Sequence, residues 1–124
     1  MSPRFRVELE GERFEPGDAV TGTVLVLEGG SSRNLEALLH YNEKTDDYSA
    51  SAFSLTSGTL HAGDLATGTS FEFGLSLPAD ALPNYRSEHG ELYWELDVKS
   101  DERGLDTHER RRIEVEPVQH TSEI

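Results

Sequence analysis

A chain of 124 residues with 35% hydrophobic and 28% charged side chains is long enough to pack one domain core, which excludes a stapled mini-protein and global disorder. Its 24 acidic against 11 basic side chains leave a formal net charge of -13, which argues against nucleic acid and anionic membrane surfaces, since both select clustered Lys and Arg. Cysteine is absent, so disulfides, thiolate nucleophiles and Cys-ligated zinc are excluded.

Alternation with a period of two runs through the chain and predicts strands. Phe5, Val7 and Leu9 alternate with Arg4, Arg6, Glu8 and Glu10. Pro16-Gly17 then marks a tight turn, Pro fixing one φ angle and Gly supplying a positive one. A strand follows over Val20–Leu27. Its unbroken Val24-Leu25-Val26-Leu27 predicts a central strand covered on both faces at one end. Gly22 within it predicts a bulge or a close backbone approach. Gly29-Gly30-Ser31-Ser32 reads as a flexible, hairpin-like connection.

Leu35, Ala37, Leu39 and Tyr41 define the next dry face, with His40 on the opposite one. Asp46-Asp47 turns the chain into a strand from Tyr48 to Leu55, whose facing the pattern leaves open. Ser57-Gly58 and Ala62-Gly63-Asp64 predict further turns. Phe71, Phe73, Leu75 and Leu77 form another alternating set. Pro78 and Pro83, which cannot donate to a ladder, bound the loop after it. Leu92, Trp94, Leu96 and Val98 alternate with Glu91, Tyr93, Glu95 and Asp97. This places the only Trp in the core and Tyr93 on the opposite face. Lys99–Gly104 closes a hairpin onto a last strand with Ile113 and Val115 inward. No helical period is present. The pattern predicts an all-β, immunoglobulin-like sandwich of two antiparallel sheets with seven to eight strands. No linker or repeat divides it, so residues 1–124 read as one domain, with a core over 4–118 and a frayed tail over 119–124.

Two stretches carry a resemblance. Phe14-Glu15-Pro16-Gly17-Asp18 precedes Val20-Thr21-Gly22-Thr23-Val24. Far downstream, Leu77-Pro78, Leu82-Pro83 and Tyr85 precede the aromatic strand that holds Trp94. In this order, with Leu60-His61-Ala62-Gly63 and Phe71-Glu72-Phe73 between them, they resemble the arrestin-type β-sandwich. The chain is similar to the N-terminal half of the bacterial sporulation-control proteins and to the retromer subunit with an arrestin fold. The resemblance implies the fold and an adaptor or scaffold role. It carries over no receptor-contact residue, and true arrestins have two such sandwiches where this chain has one.

Motifs for chemistry are absent. His40, His61, His89, His108 and His120 contain no pair three or four residues apart and no HExxH, so no metal ligand is assigned. There is no G-x-S-x-G elbow and no phosphate-cradling G-x-x-x-x-G-K. Asp46-Asp47 with Glu43 lacks the spacing of a calcium loop and reads as a solvated turn. No catalytic or cofactor-binding residue is assigned, and no cofactor is expected.

Glu91, Glu95 and Asp97, with Tyr93 among them, form an acidic stripe on one strand face, either solvated or able to dock a basic partner. Arg110-Arg111-Arg112, the only basic run, is placed to neutralise Glu109 and Glu114 or to pair across strands with Glu91 or Glu95. Ser122-Glu123-Ile124 has the form of a C-terminal carboxylate ligand. The expectation is a non-enzymatic, cytoplasmic, acidic adaptor that binds another protein through a sheet edge or the loops around Asn84–His89. Its expected contact residues are Asn84, Tyr85, Arg86, Glu91, Tyr93 and Glu95. No nucleic-acid partner or membrane insertion is expected. Met1–Arg6 shows no apolar signal region, and no run of about 18 apolar residues occurs. Two alternatives stand beside it. One is a self-assembling structural protein that pairs sheet edges between identical chains. The other is a glycan- or ligand-binding sandwich using Tyr85 and Tyr93 as an exposed pair.

Overall fold

The alternating runs become strands whose apolar positions share one interior. The computed structural model describes residues 3–117 and contains β1 (Arg4–Leu9), β2 (Arg13–Phe14), β3 (Ala19–Glu28), β4 (Asn34–Thr45), β5 (Ser49–His61), β6 (Ser70–Ser76), β7 (Tyr85–Arg86), β8 (Gly90–Asp101) and β9 (Thr107–Val115). A small sheet has the order β1-β3-β6. A large one has the order β2-β9-β8-β4-β5, with β7 also on β8. Nine strands thus replace the expected seven to eight. The two extra ones, β2 and β7, are two residues long and too short to show alternation. The frayed tail, His120 and Ser122-Glu123-Ile124 lie outside the described residues.

The two sheets stack on their apolar faces. Val20, Val24 and Val26 of β3 meet Leu35, Ala37 and Leu39 of β4 and Leu96 and Val98 of β8, all at 1% exposure or less. Ile113 and Val115 of β9 complete this floor. Trp94 is 2% exposed, as its alternation requires, and β8 lies between β4 and β9. Arg111 bridges the layers by donating to the Val7 carbonyl at 2.8 Å.

Five local expectations are corrected. The sheets are not wholly antiparallel, because β2 runs parallel to β9. After β1 the chain leaves the small sheet and enters the edge of the large one, and the Glu12 and Phe14 carbonyls accept from Glu114 and Glu116. Val24–Leu27 is not covered on both faces. β3 is central, but it alternates strictly and its outward Leu25 and Leu27 are half-buried. Gly29–Ser32 is not a hairpin. It passes from the small sheet to the large one, and Gly30 is bridged to Leu65 by two backbone hydrogen bonds of 3.0 and 2.8 Å.

Ser57-Gly58 does not turn the chain; β5 continues through it. Register jumps from Leu38 opposite Thr56 to Glu36 opposite Thr59, so two residues oppose Ala37 in a bulge. Gly58 takes φ +79° there, and the Ser57 hydroxyl accepts from the Ala37 N–H at 3.0 Å. Lastly, Lys99–Asp101 belong to β8, so the closing turn starts at Glu102. At Gly22 the close approach is found and a bulge is not. A Cβ there would lie 2.5 Å from the Glu8 carbonyl oxygen and 2.9 Å from the Phe73 ring, while pairing to β1 and β6 stays regular.

Candidate interaction surface

The two stretches that carry the sequence resemblance meet in space. Gly17 donates its N–H to the Pro78 carbonyl at 3.0 Å, and Leu77 donates to the Asp18 carbonyl at 2.9 Å. The Asp18 carboxylate accepts the Glu15 N–H at 2.8 Å. The Pro16-Gly17-Asp18 turn therefore clamps the start of the Pro-bounded loop, where proline leaves the ladder without a donor.

The far half of the loop is held by the large sheet. Trp94 donates its indole N–H to the Leu82 carbonyl at 2.8 Å, and the Tyr41 hydroxyl donates to the Pro83 carbonyl at 3.1 Å. Asn84 donates its amide to the Ile113 carbonyl at 2.8 Å and accepts the Trp94 N–H at 3.3 Å. Its own N–H bonds the Val115 carbonyl at 2.9 Å. Asn84 is thus the staple between loop, β8 and β9, and its amide already faces inward.

Over this staple lies an apolar notch of about 240 Å³, lined by Tyr41, Phe53, Pro78, Asp80, Ala81, Leu82 and Trp94. Its floor is aromatic. Tyr41 and Trp94 have ring centroids 4.9 Å apart, and Phe53 meets Trp94 edge-on at 6.2 Å and 79°. Leu82 (61% exposed), Tyr85 (62%), Tyr48 (52%) and Phe53 (44%) surround this end of the sandwich. Only Leu105, in the turn at the opposite end, is a comparably exposed large apolar side chain among the described residues. Burial pushes the Tyr41 phenol above its ordinary value. The Tyr48 phenol is also raised, first by its 2.8 Å hydrogen bond to Glu43. Beside them, Tyr85, Glu43, Lys44, Ser87, His89 and Leu92 line a more polar hollow of about 370 Å³, and Arg86 pairs with Glu91 in the ladder.

The outer face of the large sheet differs from the expected acidic stripe. Asp97 is 4% exposed. Its carboxylate accepts from His108 Nδ1 at 2.9 Å and lies 3.4 Å from His40 Nε2 and 3.9 Å from Arg110. Side chains from β4 and β9 close over it, which is why this outward residue is buried. Glu91 forms a two-pronged pair with Arg112 at 3.0 and 3.3 Å, and the same guanidinium lies 3.8 Å above the Tyr93 ring. Of the stripe, Glu95, half-buried opposite His40 and Arg112, has no side-chain bond within these pairs. The cross-strand pairing of Arg112 with Glu91 follows the sequence expectation.

The six expected contact residues therefore divide. Tyr85 and Arg86 stand exposed at the loop end. Glu91, Tyr93 and Glu95 lie on the outer sheet face, and Asn84 is half-buried with its amide engaged by backbone groups of β8 and β9. Tyr85 pairs directly with Leu92 and shares its face, opposite to that of Tyr93, so the two tyrosines do not form a glycan-stacking pair. Sequence reading missed Phe53 and Leu82 as surface residues, and the exposed apolar character of a Leu-Pro motif was the available signal for Leu82. It also missed a chain in which the Ser54 hydroxyl lies 2.7 Å from His40 Nδ1 and His40 reaches Asp97. The order is that of a hydrolytic triad, but the three sit on an open sheet face and line neither hollow described above. Among the described residues, no group of three or more His, Asp or Glu is arranged to hold a metal ion.

No protein-family model matches the chain, and no curated protein matches it. Among solved structures, the crystal structure of Spo0M, a sporulation control protein from Bacillus subtilis, superimposes with a TM-score of 0.64 at 23% identity. The match covers 94% of this chain. The fold is an arrestin-like β-sandwich. This arrestin-like chain spans 50% of the length of that Spo0M chain.

Proposed function

We propose that this arrestin-like sandwich is a non-enzymatic regulatory or adaptor domain that binds another protein at its loop end. The observation that supports the reading is the clustering of exposed apolar side chains at one end of the sandwich, with Phe53 and Leu82 on the notch, Tyr85 on the more polar hollow and Tyr48 exposed just before β5. Exposed apolar groups so grouped on a chain of net charge -13 mark a contact surface. The polar surroundings of Glu43, Lys44, Arg86 and Glu91 supply the rim that such contacts carry. Leu82 and Tyr85 are the anchors, on a loop whose backbone is held by Trp94 and Tyr41 and whose Asn84 is tied to β8 and β9, so little order is lost on binding. No helix of the described residues is long and apolar enough to cross a membrane, and the working compartment in this reading is the cytoplasm.

A photo-crosslinking amino acid at position 85, introduced in the source cell, tests this. The expected result is one dominant cross-linked protein that disappears when Leu82→Asp is added without change in melting temperature. Products that are diffuse, or that persist in Leu82→Asp, would remove the loop end as the binding surface.

A further inference from the structure

The longest stretch of the chain without Asp, Glu, Lys or Arg runs from Tyr48 to Gly63, and it is almost entirely β5. Among the described residues β5 pairs with β4 alone and forms one border of the large sheet. The other borders carry charge. β1 has Arg4, Arg6 and Glu8, β6 has Glu72, and the β2–β9 side has Arg13, Glu109, Arg110 and Glu114. Charge is a common means of keeping an open edge from pairing. Here it is missing from one edge only, in a molecule whose net charge otherwise keeps copies apart.

We infer that β5 is a homodimer edge, occupied by β5 of a second copy of this chain in antiparallel pairing. The occupant follows from charge and from facing. An uncharged strand is the partner that meets this edge without burying an unpaired charge, and β5 is itself such a strand. Bulges interrupt β5, but Phe53, Ser54, Leu55 and Thr56 pair with Tyr41, His40, Leu39 and Leu38 in unbroken register. Within that run Phe53 meets Trp94 edge-on and Leu55 packs against the core, while Ser54 meets His40 on the outer face. A two-fold axis normal to the sheet preserves its faces, and directly opposed residues point the same way. Centring the axis on Ser54 satisfies both conditions inside the regular run. It sets Phe53 against Leu55 of the second copy on the inner face, and Ser54 against Ser54 on the outer. This pairing rests on the β5 backbone and shares Phe53, but neither Leu82 nor Tyr85, with the loop-end surface, so loss of loop-end binding in Leu82→Asp leaves it intact.

The chain has no cysteine, so Ser54→Cys provides a single probe on the axis, and Ser70→Cys on β6 serves as the edge control. Sedimentation of the wild-type chain should show a monomer–dimer equilibrium that shifts toward dimer as salt screens the net charge. Under mild oxidation Ser54→Cys should give a covalent dimer, since opposed strand positions fall within disulfide reach, and Ser70→Cys should not. Ser54→Lys places like charges face to face and should raise the half-dimer concentration about tenfold or more, with a cooperative melt of the folded monomer retained at low concentration. A chain that stays monomeric at every concentration and salt level overturns the inference. So does a dimer that Ser54→Cys fails to trap, or one that Ser70→Cys traps instead.

Discussion

β8 and β5 are strands of nearly equal length, 12 and 13 residues, in one sheet. β8 lies between β4 and β9 and buries Trp94, Leu96, Asp97, Val98 and Ser100; β5 lies at the border and has no fully buried residue. β8 keeps regular register with both neighbours, whereas β5 slips against β4 at three places. The difference shows what a second neighbour does. Paired on both sides, a strand must hold its register or lose a whole face from the core. Paired on one side, it can absorb extra residues as bulges at little cost and leaves its ladder groups open. Buried packing in this molecule is accordingly concentrated in β4, β8 and β9, while the contact surfaces proposed above lie at β5 and the loop end.

Substitutions can break that contrast, beginning with the most damaging. Trp94→Ala removes the aromatic floor and the donor that holds Leu82, and should lower the unfolding free energy by about 3–5 kcal/mol. Chemical denaturation that shows less than about 1 kcal/mol would mean that β8 is not the keystone. Asp97→Asn keeps the shape but weakens the bonds to His108 and His40, with an expected loss of about 1–3 kcal/mol, read in the same way. An unchanged midpoint would show that the outer-face cluster adds nothing to the β4–β8–β9 ladder.

Gly58→Ala sharpens the β5 side. The added methyl meets nothing within 4 Å, but φ is +79°, so the expected cost is about 1 kcal/mol from backbone strain alone. A stabilised variant would mean that the bulge is not formed. The smallest effect is on the alkaline limb. The folded pKa of Tyr41 is raised by burial, so its contribution is fully present below the unfolded tyrosine value of about 10 and is lost as pH rises through the folded value. Tyr41→Phe should flatten that limb in a melting series. A limb that stays as steep would assign it to other groups.

The buried half of this contrast was legible in the chain. Leu35, Ala37, Leu39 and Tyr41, and Trp94, Leu96 and Val98, alternate so cleanly that facing and core follow from period alone. The Pro16-Gly17 turn and the Leu-Pro loop were legible as breaks, though not as partners, because their hydrogen bonds join residues about sixty positions apart. β5 was half visible. Its polar, small residues show strand preference without a dry face, and Ser57-Gly58 has the same local chemistry in a bulge as in a turn. The acidic stripe was misjudged at Asp97 because its burial comes from His40 and His108, which only the register of β4 and β9 brings beside it. Of the candidate contact residues, Tyr85 and Arg86 could be placed at the loop end from the Pro punctuation. The inward role of Asn84 depends on backbone groups of β8 and β9 that no local pattern records.

Residue-resolved amide hydrogen exchange on dilute protein tests the division between the buried strands and the open edge most directly. The account predicts that amides of β8 and of β4 where it faces β8 exchange slowest, near the limit set by global unfolding, and that amides of β5 not bonded to β4 exchange orders of magnitude faster. Equal protection along β5 and β8 would contradict it.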